Sequence, residues 1–384
     1  MNSSALLRVP LGNIIFPILF PSVTTRKMKQ LLGIQPQEEM TLRALVLDKY
    51  KHLAIQEVPV PACRPDEVLV RVRACAICGS DVHGYDGSSG RRIPPIVMGH
   101  EAAGEVTETG EAVSCFQPGD RVTFDSTIYC GTCVFCRAGR VNLCDDRRVL
   151  GVSCEDYRRD GAFAEYVAVP ERIVYRIPDG LSFEHASLVE PVAVAVHAVS
   201  RAALRLNDTA VVLGAGTIGL LAIQALQRAG CGRIIAVDLD DARLGLAEQL
   251  GATDTVNSAH NPTADAVTSL TGGKGADIVL EAVGIEETVG ASLACARKGG
   301  TVLLVGNVTP SVSFPLQTAV TRELNVLGSC ASSGEYPVAI ALLARGDIAV
   351  EPIISATGQL EDSHAWFERL HAREPGLLKV VLCP

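Results

Sequence analysis

The chain is expected to be an α/β protein in two parts, a β-rich part and a doubly wound parallel sheet. Three observations point there. From Thr41 the sequence runs in short Val-, Ile- and Leu-rich segments broken by Pro, Asp or Lys, the pattern of strands and turns. From residue 209 to about 323 apolar strand patterns alternate with helical ones, which is the rhythm of βαβ units. The first strand and helix of that alternation are joined by a glycine-rich turn.

ALVL, LAIQEVPVP and EVLVRVRACAI open the β-rich part, and GEVTETG, DRVTF and FAEYVAVP continue it. LSFEHASLVEPVAVAVHAVSRAAL then changes period, with apolar residues at helical spacing and Ser182 or Glu184 as its start. Next come strand TAVVLGAG, helix TIGLLAIQALQRAG closed by Gly230, strand RIIAVDLD, helix DARLGLAEQLG, and strands ADIVLEAVG and GTVLLVGN. Such an alternation implies a parallel sheet covered on both faces. The final strand, LLKVVLCP, is expected to rejoin the first part. The expected division is 40–185 with 325–384, and 186–324 as the nucleotide-binding part.

Composition narrows the function. With 384 residues and 48% hydrophobic content, two or three cores of ordinary size can form. The net charge is −9 and no basic run is present, which argues against a nucleic-acid surface. No apolar run approaches the roughly 20 residues needed to span a bilayer. Thirteen cysteines is an odd number in a long chain, and four cluster at metal-ligand spacing. Reduced thiols and zinc in a cytoplasmic enzyme fit this better than a secreted disulfide framework.

Residues 1–39 read differently. The first acid is Glu38, and Arg8, Arg26, Lys27 and Lys29 precede it. A targeting segment, a flexible tail and a translation start placed too early all fit. The last is preferred, because Met40 is followed at once by a strand-turn-strand opening, so 1–39 is expected to stand outside the fold.

In VVLGAGTIGLLAIQALQRAG, Gly214, Gly216 and Gly219 form G-x-G-x-x-G between a strand and a helix. Asp238 ends the next strand, 22 residues after Gly216. Alone the glycine pattern is weak; in this context it is a dinucleotide-binding fingerprint. Gly214 permits the turn, Gly216 lets the backbone approach a pyrophosphate, and Gly219 lets the helix pack on the sheet. Ile218 lies within the same loop. Asp238 can accept from both adenosine ribose hydroxyls and would repel a 2′-phosphate by roughly several kcal/mol at contact, which favours NAD over NADP. The plainer reading is a glycine turn without a ligand.

Cys130, Cys133, Cys136 and Cys144 are separated by two, two and seven residues. Four thiolates at that spacing can close around one zinc ion and leave no place for substrate. Four free thiols in a cysteine-rich loop are the alternative. A second ligand set is scattered: Cys78 in ACAICGSDVHGYDG, His100 and Glu101 in IVMGHEAAGEV, and Glu190 in SLVEPVAVAVHA. A catalytic zinc takes about three protein ligands and an open position, and thiolate, imidazole and carboxylate all suit it. Taken singly, His100 reads as a structural histidine, Glu190 as a helix-start acid and Cys78 as a buried thiol.

From about residue 41 onward the chain resembles the zinc-containing medium-chain dehydrogenase/reductase family, nearest its sorbitol (polyol) dehydrogenase branch. CGSDVH, GHEAAGEV, the four-cysteine loop, EPVAVAVHA and the GAGTIG loop with Asp238 carry the resemblance. It implies a GroES-like catalytic domain beside a Rossmann domain, two zinc ions per chain, NAD, a small alcohol substrate, and a homo-oligomer, dimer or tetramer. Cys78, His100 and Glu101 resemble the family's catalytic metal ligands. Glu190 stands where polyol enzymes carry a glutamate that reaches the metal directly or through water. Ser80 resembles the hydroxyl that passes the substrate proton outward, Asp81 the acid that orients the ligand histidine, and Arg243 the side chain near the adenine end. His83 reads equally as an outer relay or a solvated loop residue.

The sequence also departs from that branch. Ala331 and Ser332 occupy the places of an Arg-Tyr pair near the polyol, and Gly84 replaces an aromatic residue. Glu335, Tyr85 and Ser332 are candidates for a different polar rim. The implied reaction is hydride transfer from a secondary alcohol to NAD, giving a ketone. An amino-alcohol (threonine-type) or simple alcohol dehydrogenase is the near rival. A non-catalytic dinucleotide-binding protein is the distant one, and it would be expected to have lost catalytic ligands.

Overall fold

Short apolar runs dictate the first sheet. In the strand Glu67–Ala76 a nearly continuous buried run, broken by exposed Arg71 and Arg73, leaves little room for a solvent face. It pairs antiparallel with Glu101–Thr109 on one side and with the C-terminal strand Lys379–Cys383 on the other, and along its length also with Tyr166–Pro170. The last strand thus rejoins the first part, as its sequence suggested. The computed structural model describes residues 40–154 and 157–384; the reading of residues 1–39 lies outside the described residues. Residues 41–384 form one compact unit.

The second sheet has six parallel strands in the order Asp254–Asn257, Arg233–Asp238, Thr209–Leu213, Ala276–Glu281, Ala296–Leu304 and Asn325–Gly328. The order reverses between Thr209–Leu213 and Ala276–Glu281, and ligands of such sheets bind outside the carboxyl ends of the strands at that reversal. The helix Thr217–Arg228 starts there and buries Leu220, Leu221, Ile223 and Leu226 completely. Each such side chain contributes about 1.5–3 kcal/mol by leaving water. Gly230, at φ 98°, ends the helix region as expected.

Two expectations are corrected. Asn325–Gly328 was assigned with the β-rich part, yet it pairs in register with Thr301–Leu304 as the sixth strand of the parallel sheet. Its four residues are too few and too exposed to show a strand pattern. The single helix expected from 182 is two helices, Phe183–Ser187, capped by the Ser182 hydroxyl, and Val189–Ser200. Pro191 lies in the first turn of the second helix, where a missing N–H is tolerated. This break is what brings Glu190 to a helix start.

Candidate active site

Cys78 ends the β-to-helix turn after strand Glu67–Ala76 and precedes the short helix Gly79–Tyr85. His100 and Glu101 come from the start of the neighbouring strand Glu101–Thr109. Because that strand pairs Glu101 with Ala76, the three ligand atoms lie within 4.8 Å of one another. His100 and Glu101 are buried and Cys78 is half-buried. Thiolate, imidazole and carboxylate converging in this way suit a zinc ion held by three protein ligands with a position open for substrate.

Glu190 stands outside that group. Its half-buried carboxylate is 3.5 Å from the Ser126 hydroxyl. Burial, opposed by His100 and reinforced by Glu101 and Asp125, pushes its carboxyl up to about 7.

Three charged partners surround the ligands. Asp81, completely buried, accepts from the Cys78 amide at 3.2 Å and from Arg92 Nη2 at 3.0 Å. Its Oδ1 is 3.4 Å from His100 Nδ1, an ion-pair distance at which the nitrogen still lacks an aligned hydrogen bond. Burial alone would raise the Asp81 carboxyl, but His100, Arg92 and the Cys78 amide outweigh it and hold it at about 2. Arg92 Nη2 also donates to Ser80 Oγ at 3.1 Å. Lys379, 2% exposed, donates to both oxygens of Glu101, at 3.0 and 2.8 Å, and to the Ile77 carbonyl at 3.1 Å. Sequence reasoning missed Arg92 and Lys379. Lys379 had a signal: one lysine inside the apolar strand KVVLC must find a buried partner. Arg92 had none, since the Arg91-Arg92 pair reads as solvated loop.

His83 is half-buried, with Nδ1 3.3 Å from the Ser88 hydroxyl. The suggested polar rim is rearranged. The Tyr85 hydroxyl donates to the Lys51 carbonyl and its ring packs on Phe367, so it belongs to the core. Glu335 accepts from His197 Nδ1 at 2.8 Å. Ser332 is buried beside Asp125, whose carboxyl burial pushes up to about 7.

At the parallel sheet, Gly214 turns at φ 94°, and a Cβ on Gly219 would fall 1.7 Å from the Gly214 carbonyl oxygen. Gly216 caps the Thr217–Arg228 helix without a side-chain partner, and a Cβ built on it meets nothing within 4 Å. Free helix-start amides beside that open space fit a pyrophosphate. Ile218 is half-buried in the first turn. Asp238 accepts from the Ala215 amide at 2.7 Å and from the Leu239 amide at 2.8 Å, which ties the end of its strand to the glycine loop. The Arg243 amide is held by Asp240 in the first turn of the next helix.

Cys130, Cys133, Cys136 and Cys144 form the second group with sulfurs within 4.8 Å. The Thr132 hydroxyl and amide and the Cys133 amide pull the Cys130 thiol down to about 6, while burial pushes Cys136 up to about 12. Such crowded sulfurs ionise together only around a cation, and the all-sulfur set fits zinc.

Fold and site together define a zinc-dependent dehydrogenase with a nicotinamide dinucleotide cofactor. Residues 64–179 match the alcohol dehydrogenase GroES-like domain and residues 217–345 the zinc-binding dehydrogenase family. The chain belongs to the zinc-containing medium-chain dehydrogenase/reductase family. It is 34% identical to sorbitol dehydrogenase of Bacillus subtilis over 349 residues, covering 89% of this chain and 97% of the relative. It is 35% identical to D-xylulose reductase A of Aspergillus niger over 338 residues, covering 86% and 93%. Among solved structures it is similar to a Sinorhizobium meliloti 1021 protein assigned to the zinc-binding dehydrogenases and bound to NADP. That likeness has a TM-score of 0.82 and 35% identity, and covers 90% of this chain and all (100%) of that one. Among the described residues no helix is long and apolar enough to cross a membrane.

Proposed function

We propose that the chain oxidises a secondary alcohol of a polyol or sugar-alcohol-like substrate to a ketone, with NAD as the hydride acceptor. The observation that carries this is the carboxylate-rich surround of one metal site: Cys78, His100 and Glu101 as ligands, with Glu190 close enough for Glu101 and His100 to bias its charge. The likeness to sorbitol dehydrogenase and D-xylulose reductase supports the substrate class.

Cys78, His100 and Glu101 would hold a zinc ion that would supply Lewis acidity toward the substrate oxygen, and a bound nicotinamide would supply the hydride acceptor. The protein does the rest. Ser80 Oγ moves the alcohol proton outward, Asp81 orients His100, and Lys379 holds both oxygens of Glu101. Glu190 would add a second carboxylate near the metal, reached directly or through a water, and would suit two adjacent oxygens of a vicinal diol. Gly214, Gly216, Ile218 and Gly219 cradle the pyrophosphate; Asp238 takes the ribose and Arg243 the adenine end. Asp238 favours NAD, although the S. meliloti relative binds NADP. Cys130, Cys133, Cys136 and Cys144 hold the second, structural zinc.

A homo-oligomer is part of the proposal. The strand Asn325–Gly328 leaves one edge of the parallel sheet open, and Leu316 and Val320 nearby are exposed, a combination that favours pairing with a second copy. Cytoplasmic residence is supported by the thirteen cysteines, none of them in a disulfide, five of which the proposal gives to zinc.

A panel of polyols, sugar phosphates and amino alcohols, read by NADH absorbance, tests the substrate class. The highest kcat/KM is expected on a vicinal diol; a clear preference for an amino alcohol would move the chain to the threonine-type branch. Glu190→Gln should lower kcat on the best diol by roughly tenfold or more with folding intact. Near-normal turnover would reduce Glu190 to a helix-start acid worth about 0.3–1 kcal/mol.

A further inference from the structure

Two adjacent arginines follow the loop after the Gly79–Tyr85 helix, and they have opposite fates. Arg91 is exposed, whereas Arg92 is 3% exposed. Its Nη2 is shared between Ser80 Oγ and Asp81 Oδ1, at 3.1 and 3.0 Å, and its Nε is buried with no partner. A buried guanidinium normally satisfies its donors. This one leaves a donor orphaned and still reaches two consecutive residues of the turn that carries Cys78.

We propose that Arg92 is a positioning residue for the reaction, fastening Ser80 and Asp81 in one geometry, and that Gly84 is bare because the arginine stem fills the place of a side chain. The inference rests on the reading that Ser80 carries the proton and Cys78, His100 and Glu101 carry zinc.

The contacts define what Arg92 does. A serine hydroxyl that accepts from a guanidinium must point its own hydrogen elsewhere and keeps one lone pair free. Arg92 thus sets the direction of the Ser80 hydroxyl: it can receive the alcohol proton and pass its own onward. The same nitrogen pins Asp81 Oδ1, the oxygen facing His100 Nδ1, while Oδ2 accepts from the Cys78 amide. One cation therefore steadies the relay hydroxyl and the carboxylate that touches two metal ligands. Such outer partners of metal ligands typically matter 10–100-fold for affinity or activity, as a rough scale.

Gly84 supplies an independent observation. A Cβ there would fall 2.7 Å from Arg92 Cγ, 2.8 Å from Cδ and 3.0 Å from Cβ. These atoms belong to the base of the side chain, so the stem itself would have to move. Gly84 does not have a positive φ, so space rather than backbone conformation calls for glycine. The bare Gly84 and the buried arginine stem fit one another in the same space.

The test uses the zinc-loaded enzyme and the variants Arg92→Met, Arg92→Lys, Gly84→Ala and the double variant Gly84→Ala/Arg92→Met. Zinc affinity of the Cys78 site is measured by chelator competition, beside kcat and KM on the best alcohol. Arg92→Met should lower kcat by about tenfold or more, leave KM within about threefold, and weaken zinc binding roughly 10–100-fold. Arg92→Lys should recover part of both losses. Gly84→Ala should move both quantities the same way, and the double variant should be no worse than Arg92→Met, because the two changes act on one contact. Kcat and zinc affinity within about twofold of wild type in Arg92→Met, or losses in the double variant that simply add, would overturn the proposal. Should Arg92→Met fail to fold, unchanged kcat and affinity in Gly84→Ala overturn it equally. A wild-type protein that binds zinc but oxidises no alcohol would overturn the functional reading instead, and the affinity measurements would still decide the role of Arg92.

Discussion

The two metal centres are assembled in opposite ways. The four cysteines lie between residues 130 and 144, on a loop with only a four-residue helix and one 3-10 turn, and are backed mainly by their own amides. The proposed ligands of the catalytic centre come from residues 78, 100 and 101, brought together by the pairing of two strands, and are backed by three buried charges, Asp81, Arg92 and Lys379. The hydrophobic core clusters include no residue of 131–144, so a metal held by the four sulfurs would serve as the core of the loop. The second sits on a completed sheet, among buried charges that contact Cys78, His100 and Glu101. Metal loss should therefore cost the first centre structure and the second centre activity.

The largest expected effect falls at the catalytic centre. Cys78→Ser should remove one zinc equivalent and lower kcat/KM by on the order of a thousandfold or more, the loss of several kcal/mol of transition-state stabilisation. The circular dichroism spectrum and the second zinc should be unchanged; loss of both ions together would erase the distinction between the centres.

Cys136→Ala probes the other side. Without its zinc the loop has little to hold it, and the thermal midpoint should fall by on the order of 5–10 °C. An unaltered midpoint with one zinc missing would mean that the loop folds without its metal.

Lys379→Met sharpens the contrast by asking whether zinc and lysine share Glu101. Removing one partner of a buried pair typically costs about 3–5 kcal/mol, because the other charge is left uncompensated. That cost should appear in metal-free protein and shrink when zinc is bound, since the ion then faces the same carboxylate. Urea unfolding of both forms measures it, and equal destabilisation in the two forms would show that they do not share it.

The smallest effect concerns the cofactor end. Asp238→Ser should narrow the preference for NAD over NADP in kcat/KM by roughly tenfold to a hundredfold, through loss of charge repulsion toward a 2′-phosphate. The carboxylate also ties the glycine loop through the Ala215 amide, so some loss with NAD itself is expected. A wild-type enzyme that uses both cofactors equally would contradict the role given to Asp238.

The same contrast explains what could be read from the sequence. The four-cysteine loop and the Gly214–Gly219 turn are local, and short-range spacing states their geometry almost completely. Cys78, His100 and Glu101 could be gathered by residue type, but taken singly each had a plain structural reading, because strand pairing over more than twenty residues leaves no local trace; the likeness to a known family gave them their roles. Arg92 and Lys379 were missed for a related reason: a buried charge is identified by its partner, and the partners are Asp81, 11 residues away across a loop, and Glu101, 278 residues away. The placement of Asn325–Gly328 failed on length, since four half-exposed residues do not display alternation. The break at Leu188 failed because Ala186, Leu188, Val189 and Val192 all enter the same core, so the apolar pattern continues across it.

The central claim is that alcohol oxidation depends on the zinc at Cys78, His100 and Glu101 and not on the zinc of the four cysteines. The most direct measurement is graded chelation of the purified enzyme, with zinc counted and NADH formation on a vicinal diol followed in the same samples. Activity is predicted to fall in proportion to the loss of one zinc per chain, to return when zinc is restored, and to vanish while the second zinc and the fold remain. Full turnover in a protein that has lost that zinc, or no turnover on any alcohol with both zinc ions in place, would contradict it.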